Sequence, residues 1–331
     1  MMRVRLGVPV VVLVALIVGM FCSAETVRVA LDWTPNTNHT GLLVADARGY
    51  YEEEGLELRL LEGGPTAPMQ LVAAGRAEIG ISSQEYVTMA RAQGIPVVSV
   101  AALFPHNTSG FAAAVDRDIQ SASDFAGKTY AGWGSAMEEE MVRTVMRLDG
   151  ADASYVSFTN IGTLDFTTAI RLNVADFYWI FYGWQGVHAE LLGIEFDFLP
   201  LRSTAPVLDY YTPVLVASEA ALDGGSDLVS RFLRATARGY VEAALEPQAS
   251  AEALLDYAPE LDRGLVLASQ VWLADVSVTT TAVWGYQEPH VWVDFAAWCL
   301  ENGIIETAID PAAAFTNEHL PGSEPSEASG G

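Results

Sequence analysis

Four short apolar runs, at residues 27–31, 56–61, 79–82 and 97–103, are separated by three amphipathic stretches, at 40–48, 66–74 and 83–93. Gly75 and Gly94 close two of these stretches as helix C-caps. Such strand–helix alternation is satisfied by a mostly parallel sheet with helices on both faces. A second series follows. Residues 111–115 read as extended, 129–131 as a strand, 137–148 as a helix, 156–160 as a strand, 166–172 as a helix and 177–181 as an aromatic strand. After 210–216 the pattern is helical. The expectation is an α/β protein of two lobes, each a doubly wound sheet, with ligand binding in the cleft between them. The first lobe is assigned residues 25–112 and 216–320, and the second residues 113–215. The chain is expected to cross near 111–116 and return near 212–217.

The two ends of the chain read differently. Arg3 and Arg5 precede an apolar run at 7–21, and Cys22-Ser23-Ala24 supplies small residues for cleavage. Residues 1–24 are read as a signal peptide, too short in their apolar part for a membrane span. The protein is therefore expected in the periplasm or another extracytoplasmic space. A lipid anchor at Cys22 is the alternative, disfavoured by Phe21 before it. Residues 321–331 are polar, rich in Gly, Ser and Pro, and read as a disordered tail.

Hydrophobic residues make up 51% of the chain, which is ample for two cores. The net charge is −25, and removing Arg3 and Arg5 with the leader moves it to −27. A surface so acidic repels nucleic acid and anionic membranes. Lys128 is the only lysine among 17 basic residues. Cys299 alone would remain after cleavage, so no intramolecular disulfide is expected. The five histidines are scattered and no Cys/His cluster exists, so no metal site and no cofactor are expected.

Three stretches carry candidate binding chemistry. In LDWTPNTNH, the loop after the first strand, Asp32 can accept from an amino group and Trp33 can stack on a flat ring. Asn36 and Asn38 can touch a ligand or cap the next helix, and His39 can lock the loop. In GWGSAMEEE, glycines permit close backbone approach at a helix start, and Trp133, Ser135 and Glu138 are candidates. The acids there would repel phosphate, and a well-capped helix is the alternative reading. In FYWIFYGWQG, residues 177–186, six of ten are aromatic. Phe177, Trp179 and Phe181 share one face of the strand, and Tyr178, Ile180 and Tyr182 the other. One face is expected in the core, with Tyr182, Trp184 and Gln185 at the cleft.

No Gly-x-Ser-x-Gly elbow, His-Glu-x-x-His, Walker loop or Gly-x-Gly-x-x-Gly after a strand is present. The expectation is a binding protein, not an enzyme. The blocks DWTPNTNHTGLLVADARGYYEEEGLEL, LVAAGRAEIGISS, DFAGKTYAGWGSAMEEEM, YYTPVLVAS and WGYQEPHVWVDFAAWCLENGII resemble, in order, those of the thiamine-pyrimidine precursor family. That family contains periplasmic binding proteins of ABC importers and a pyrimidine synthase, and related binding proteins take riboflavin. The resemblance implies the type II periplasmic binding protein fold, a thiamine-type aminopyrimidine or a flavin as ligand, an ABC permease as membrane partner, and a monomer. The synthase branch carries a pyridoxal phosphate lysine where this chain has Ser82 and a histidine where it has Tyr86. Its cysteine run would fall near 210–214, which has none. The resemblance thus argues for the carrier branch, with Ser82, Tyr86 and Tyr211 added to the contact set. Its binding branch often places a glutamate where this chain has Gln185, which both donates and accepts and leaves the choice between pyrimidine and flavin open. A sensor presented to a membrane kinase would use the same closure.

Overall fold

A computed structural model describes residues 24–64, 67–277 and 283–322. The expected signal peptide, all but Ala24 and including Cys22, and most of the expected tail lie outside these residues. Among the described residues no helix is long and apolar enough to cross a membrane.

Among the described residues, ten strands form two sheets. The first sheet holds β1 (Glu25–Ala30), β2 (Leu56–Leu61), β3 (Ile79–Ser82), β4 (Val97–Ala102) and β10 (Val214–Ser218), in the order β2-β1-β3-β10-β4. The second holds β5 (Ser109–Ala114), β6 (Thr129–Gly132), β7 (Ser157–Asn160), β8 (Phe177–Phe181) and β9 (Phe196–Pro200), in the order β7-β6-β8-β5-β9. Burial follows position. The inner strand β3 is buried along its whole length, and so is the edge strand β4, whose outer side the C-terminal segment covers through the Ser99–Phe315 bridge. The edge strand β7 is largely exposed.

The fourth strand of each order is reversed. β10 runs antiparallel to β3 and β4, and β5 antiparallel to β8 and β9. Each is the first strand laid down after the chain changes sheets. A strand that ends at the cleft hands the chain to one that starts there, so the newcomer must run the other way. The passages lie at residues 103–108 and 201–213, several residues before the expected outward crossing. β5 therefore belongs wholly to the second sheet, and β10 to the first.

The passages are bonded to each other. Asn107 N donates to Asp209 Oδ1 at 2.8 Å, and Asn107 Nδ2 to the Leu208 carbonyl at 3.0 Å. His106 Nδ1 lies 2.8 Å from Asp209 Oδ2, and that carboxylate raises the imidazole pKa. Each lobe has its own core, one around Val27, Val29, Ile81 and Phe232, the other around Phe111, Phe125, Tyr130 and Phe177. The helix Pro289–Glu301 joins them. Its Trp292 packs with Tyr211, Val214 and Val216 beside the first sheet, while Phe295, Trp298 and Cys299 enter the second core. The chain then returns to pair with β4, where Thr316 N donates to the Ser99 carbonyl at 2.8 Å.

Candidate functional site

The parallel strands of both sheets end toward the passages, so the loops after β1, β3, β6 and β8 border the cleft. On the β1 exit, Asn36 N–H donates to His39 Nδ1 at 3.3 Å. His39 is fully buried, and with Nδ1 accepting, its Nε2–H donates to Asp32 Oδ1 at 2.9 Å. The Asp32 side chain remains 25% exposed, which leaves its second oxygen for a donor. Trp33 beside it is 43% exposed. Asn36 is consumed within the loop: its Oδ1 accepts from Asn38 N at 2.9 Å and its Nδ2 donates to the Thr34 carbonyl at 2.9 Å. Asn38 anchors from behind, its carbonyl accepting from Tyr240 OH at 2.7 Å.

The loop is seated by a close helix crossing. The helix Thr40–Ala47 packs on Leu228–Leu245 with Gly41 against Tyr240 and Gly239 against the Gly41 carbonyl. A Cβ on either glycine would overlap the other helix, so the crossing depends on both.

The β6 exit is built on Glu138, which is fully buried. Its Oε1 accepts from Tyr130 OH at 2.7 Å and Trp133 N at 2.9 Å. Its Oε2 accepts from Ser135 N at 2.8 Å and Ser135 Oγ at 3.0 Å. Gly132 makes this possible, because a Cβ there would strike both Glu138 Oε1 and Tyr130 OH. Ser135 in turn caps the helix Ala136–Leu148, accepting from Glu138 N at 3.2 Å. Glu138 and Ser135 are thus committed to holding the loop. What the loop displays is Trp133, 39% exposed, with its ring edge-on to Trp179 at 5.2 Å. The Trp179 Nε1 is buried without a partner.

The aromatic run after β8 departs from expectation. Both faces of β8 are buried, Phe177 and Trp179 in one cluster and Tyr178 and Ile180 in another. Tyr182 stacks on Trp272 of the first lobe at 5.2 Å, and its hydroxyl donates to Glu190. Trp184 packs among Leu43, Ala251, Leu254 and Val266, also first-lobe residues. Gln185 Oε1 accepts from Phe181 N at 2.9 Å. Tyr182 and Trp184 form a clasp between the lobes, and Gln185 braces the end of β8, where ligand contacts were expected. Ser269 completes it, donating to the Gly183 carbonyl and lying 2.6 Å from Thr37 Oγ1 on the Asp32 loop. Replacing Ser269 by Ala should cost about 1–2 kcal/mol of unfolding free energy, read by urea denaturation, because a buried carbonyl and hydroxyl lose their shared partner. Tyr211 is likewise a passage residue, buried, with its OH accepting from Glu288 N at 2.8 Å.

At the β3 exit, Ser82 and Ser83 are buried and their hydroxyls have no partner. Tyr86 is half-buried, and burial, with Glu85 and Glu138 nearby, pushes its phenol up to about 12. The sequence reading missed Glu85. It is buried, and its Oε2 accepts from Tyr210 OH at 2.7 Å. Burial first, then the charge of Glu138 across the cleft, push its carboxyl up to about 7 against the Tyr210 bond. A glutamate in the first turn of a helix ordinarily faces water and favours the dipole. The one available signal was its place directly after the buried run of β3.

Comparison with known proteins places this arrangement. The formylaminopyrimidine-binding protein of Halalkalibacterium halodurans is 28% identical over 301 residues, covering 88% of this chain and 90% of that protein. The 4-amino-5-hydroxymethyl-2-methylpyrimidine phosphate synthase of Legionella pneumophila is 28% identical over 243 residues, covering 71% and 74%. The riboflavin-binding protein RibY of Chloroflexus aurantiacus is 26% identical over 316 residues, covering 90% and 87%. Among solved structures, the periplasmic aliphatic sulphonate binding protein SsuA of Escherichia coli superposes with a TM-score of 0.70 at 16% identity, covering 88% and 91%, and so shares the fold. The family model described as NMT1/THI5 like matches residues 36–250, and the chain belongs to that family.

Proposed function

We propose that this protein is the solute-binding component of an ABC importer, that it captures a flat heteroaromatic vitamin precursor between its lobes, and that an aminopyrimidine of the thiamine type is the ligand. The observation that carries this reading is an exposed indole on a cleft-side loop of each lobe, Trp33 after β1 and Trp133 after β6, with the part-exposed Asp32 next to Trp33. Exposed tryptophans held by buried polar frames are poor for stability and good for stacking. Asp32, fixed by His39, supplies an acceptor for a ring amino group. The two near-full-length likenesses to binding proteins support the carrier role over synthesis. The position that would need a pyridoxal phosphate lysine holds Ser82. An ABC permease in the membrane would receive the closed form, and the protein would work as a monomer outside the cytoplasm.

Riboflavin is the second reading, favoured by the near-full-length likeness to the riboflavin-binding protein RibY. Melting curves with saturating 4-amino-5-hydroxymethyl-2-methylpyrimidine or riboflavin separate the two, since a ligand that binds the native state raises its stability. No shift with either ligand rejects both readings. Trp33→Ala should weaken binding of the true ligand by about 5- to 100-fold, the worth of one stacking partner, as read by calorimetry. Its stability should stay within about 1 kcal/mol of the parent, because the residue is exposed and lies outside both cores.

A further inference from the structure

Glu85 sits in the first turn of the helix Gln84–Ala92, at the β3 exit. Its Oε2 is held by Tyr210 OH, and its Oε1 has no hydrogen-bond partner among the described residues. Immediately before it, the hydroxyls of Ser82 and Ser83 are also unpartnered, on residues 3% and 9% exposed. Two buried hydroxyls without partners at one strand end, beside a carboxyl oxygen with no protein partner, are costly unless something else satisfies them. The ionisable groups facing Glu85 are Tyr210 from the passage, Tyr86 from its own helix, Cys299 from the helix Pro289–Glu301, and Glu138 from the second lobe. None of these is basic. A phosphate or sulfonate would meet no cation here and would face the charge of Glu138.

We propose that Glu85 is a specificity-determining residue of the cleft, reading the edge of an aminopyrimidine in which a ring nitrogen lies beside an amino group, with one proton held between carboxyl and ring. The inference rests on the aminopyrimidine reading above. A carboxylic acid matches this edge with two hydrogen bonds. Its O–H donates to the ring nitrogen, and its other oxygen, which still has a lone pair beside the Tyr210 bond, accepts from the amino group. Moving the proton onto the ring leaves a carboxylate accepting twice from a cation, so the complex holds one proton in either form. A carboxylate facing a neutral ring has no proton to donate and sets two lone pairs against each other. Because the free carboxyl titrates at about 7, the proton becomes scarcer above that pH. Ser82 and Ser83 then supply hydroxyls for a neighbouring substituent.

The test is the affinity of the parent protein and of Glu85→Gln for 4-amino-5-hydroxymethyl-2-methylpyrimidine, by calorimetry from pH 6 to 9. The amide carries a permanent donor and acceptor in the same shape and does not titrate. The parent should weaken by about fifty-fold between pH 7 and 9, the loss expected for one required proton on a group titrating near 7. The Glu85→Gln variant should bind with a flat profile. Glu85→Ala should bind at least tenfold more weakly at pH 6, with ligand-free melting curves confirming that each variant is folded. Tight binding with a flat profile in the parent overturns this inference and leaves the carrier reading standing. So does a slope that persists in Glu85→Gln. No binding at any pH overturns the aminopyrimidine reading and this inference together.

Discussion

Replacing Glu138 by Ala should lower the unfolding free energy by about 3–5 kcal/mol, because several donors lose their common acceptor at about 1–3 kcal/mol for each that stays buried. The substitution strands Tyr130 OH, Trp133 N, Ser135 N and Ser135 Oγ, all of which now donate to this one carboxylate. Two effects oppose the loss. Removing the charge ends its desolvation cost, and it relieves the repulsion that raises Glu85. Four donors without an acceptor, at about 1–3 kcal/mol for each that water cannot reach, outweigh that relief. Glu138→Gln should cost less, since it keeps one accepting oxygen, though its amide then faces two donors. The measurement is urea denaturation of the three proteins. A loss under about 1 kcal/mol for the Ala variant would show that the Gly132–Ser135 loop does not depend on this carboxylate. The same variant should lower the titration of Glu85, because its neighbouring charge is gone.

The strands were the legible part of this molecule. The runs at 56–61, 79–82 and 177–181 coincide with β2, β3 and β8, because a strand carries its apolar pattern locally, whether buried like β3 and β8 or at the edge like β2. β9 was missed. Its Phe196-Asp197-Phe198-Leu199-Pro200 is half-buried throughout and ends in proline, so it lacks the clean run that marks an inner strand. The reversal of β5 and β10 was invisible for a different reason: side-chain alternation has the same period in either direction. Asp32, Trp33 and Trp133 are expected at the site because a loop after a strand in such a sheet faces the cleft, and the structure leaves all three at least part-exposed on such loops. Tyr182 and Trp184 were misplaced because aromatic density does not say which partner the ring will meet. Here the partner is Trp272, ninety residues downstream on the other lobe. Glu85 was hidden because its character comes from burial, Tyr210 and Glu138, three tertiary facts.

That burial gives the second large expectation, one that needs no ligand. Glu85→Gln should be more stable than the parent at pH 8 by about 3 kcal/mol relative to their difference at pH 4. The sign follows from the direction of the shift. The native carboxyl titrates at about 7 and an unperturbed one near 4.5, so the native state holds the proton more tightly. Stability from the neutral form is complete below 4.5 and is lost as pH rises through 7, at about 1.4 kcal/mol for each pH unit between them. Above 7 the parent must bury a charge whose only bonded donor is Tyr210, near the like charge of Glu138. The glutamine keeps the Tyr210 bond and has no charge to bury. Tyr86, Tyr210 and Cys299 do not disturb the comparison, because burial holds all three protons well above this range. Unfolding free energies of both proteins at pH 4, 6 and 8 check it, and other titrating groups cancel between them. A difference that stays constant with pH would mean that Glu85 is reached by water in the native protein, and then its proton could not govern the cleft.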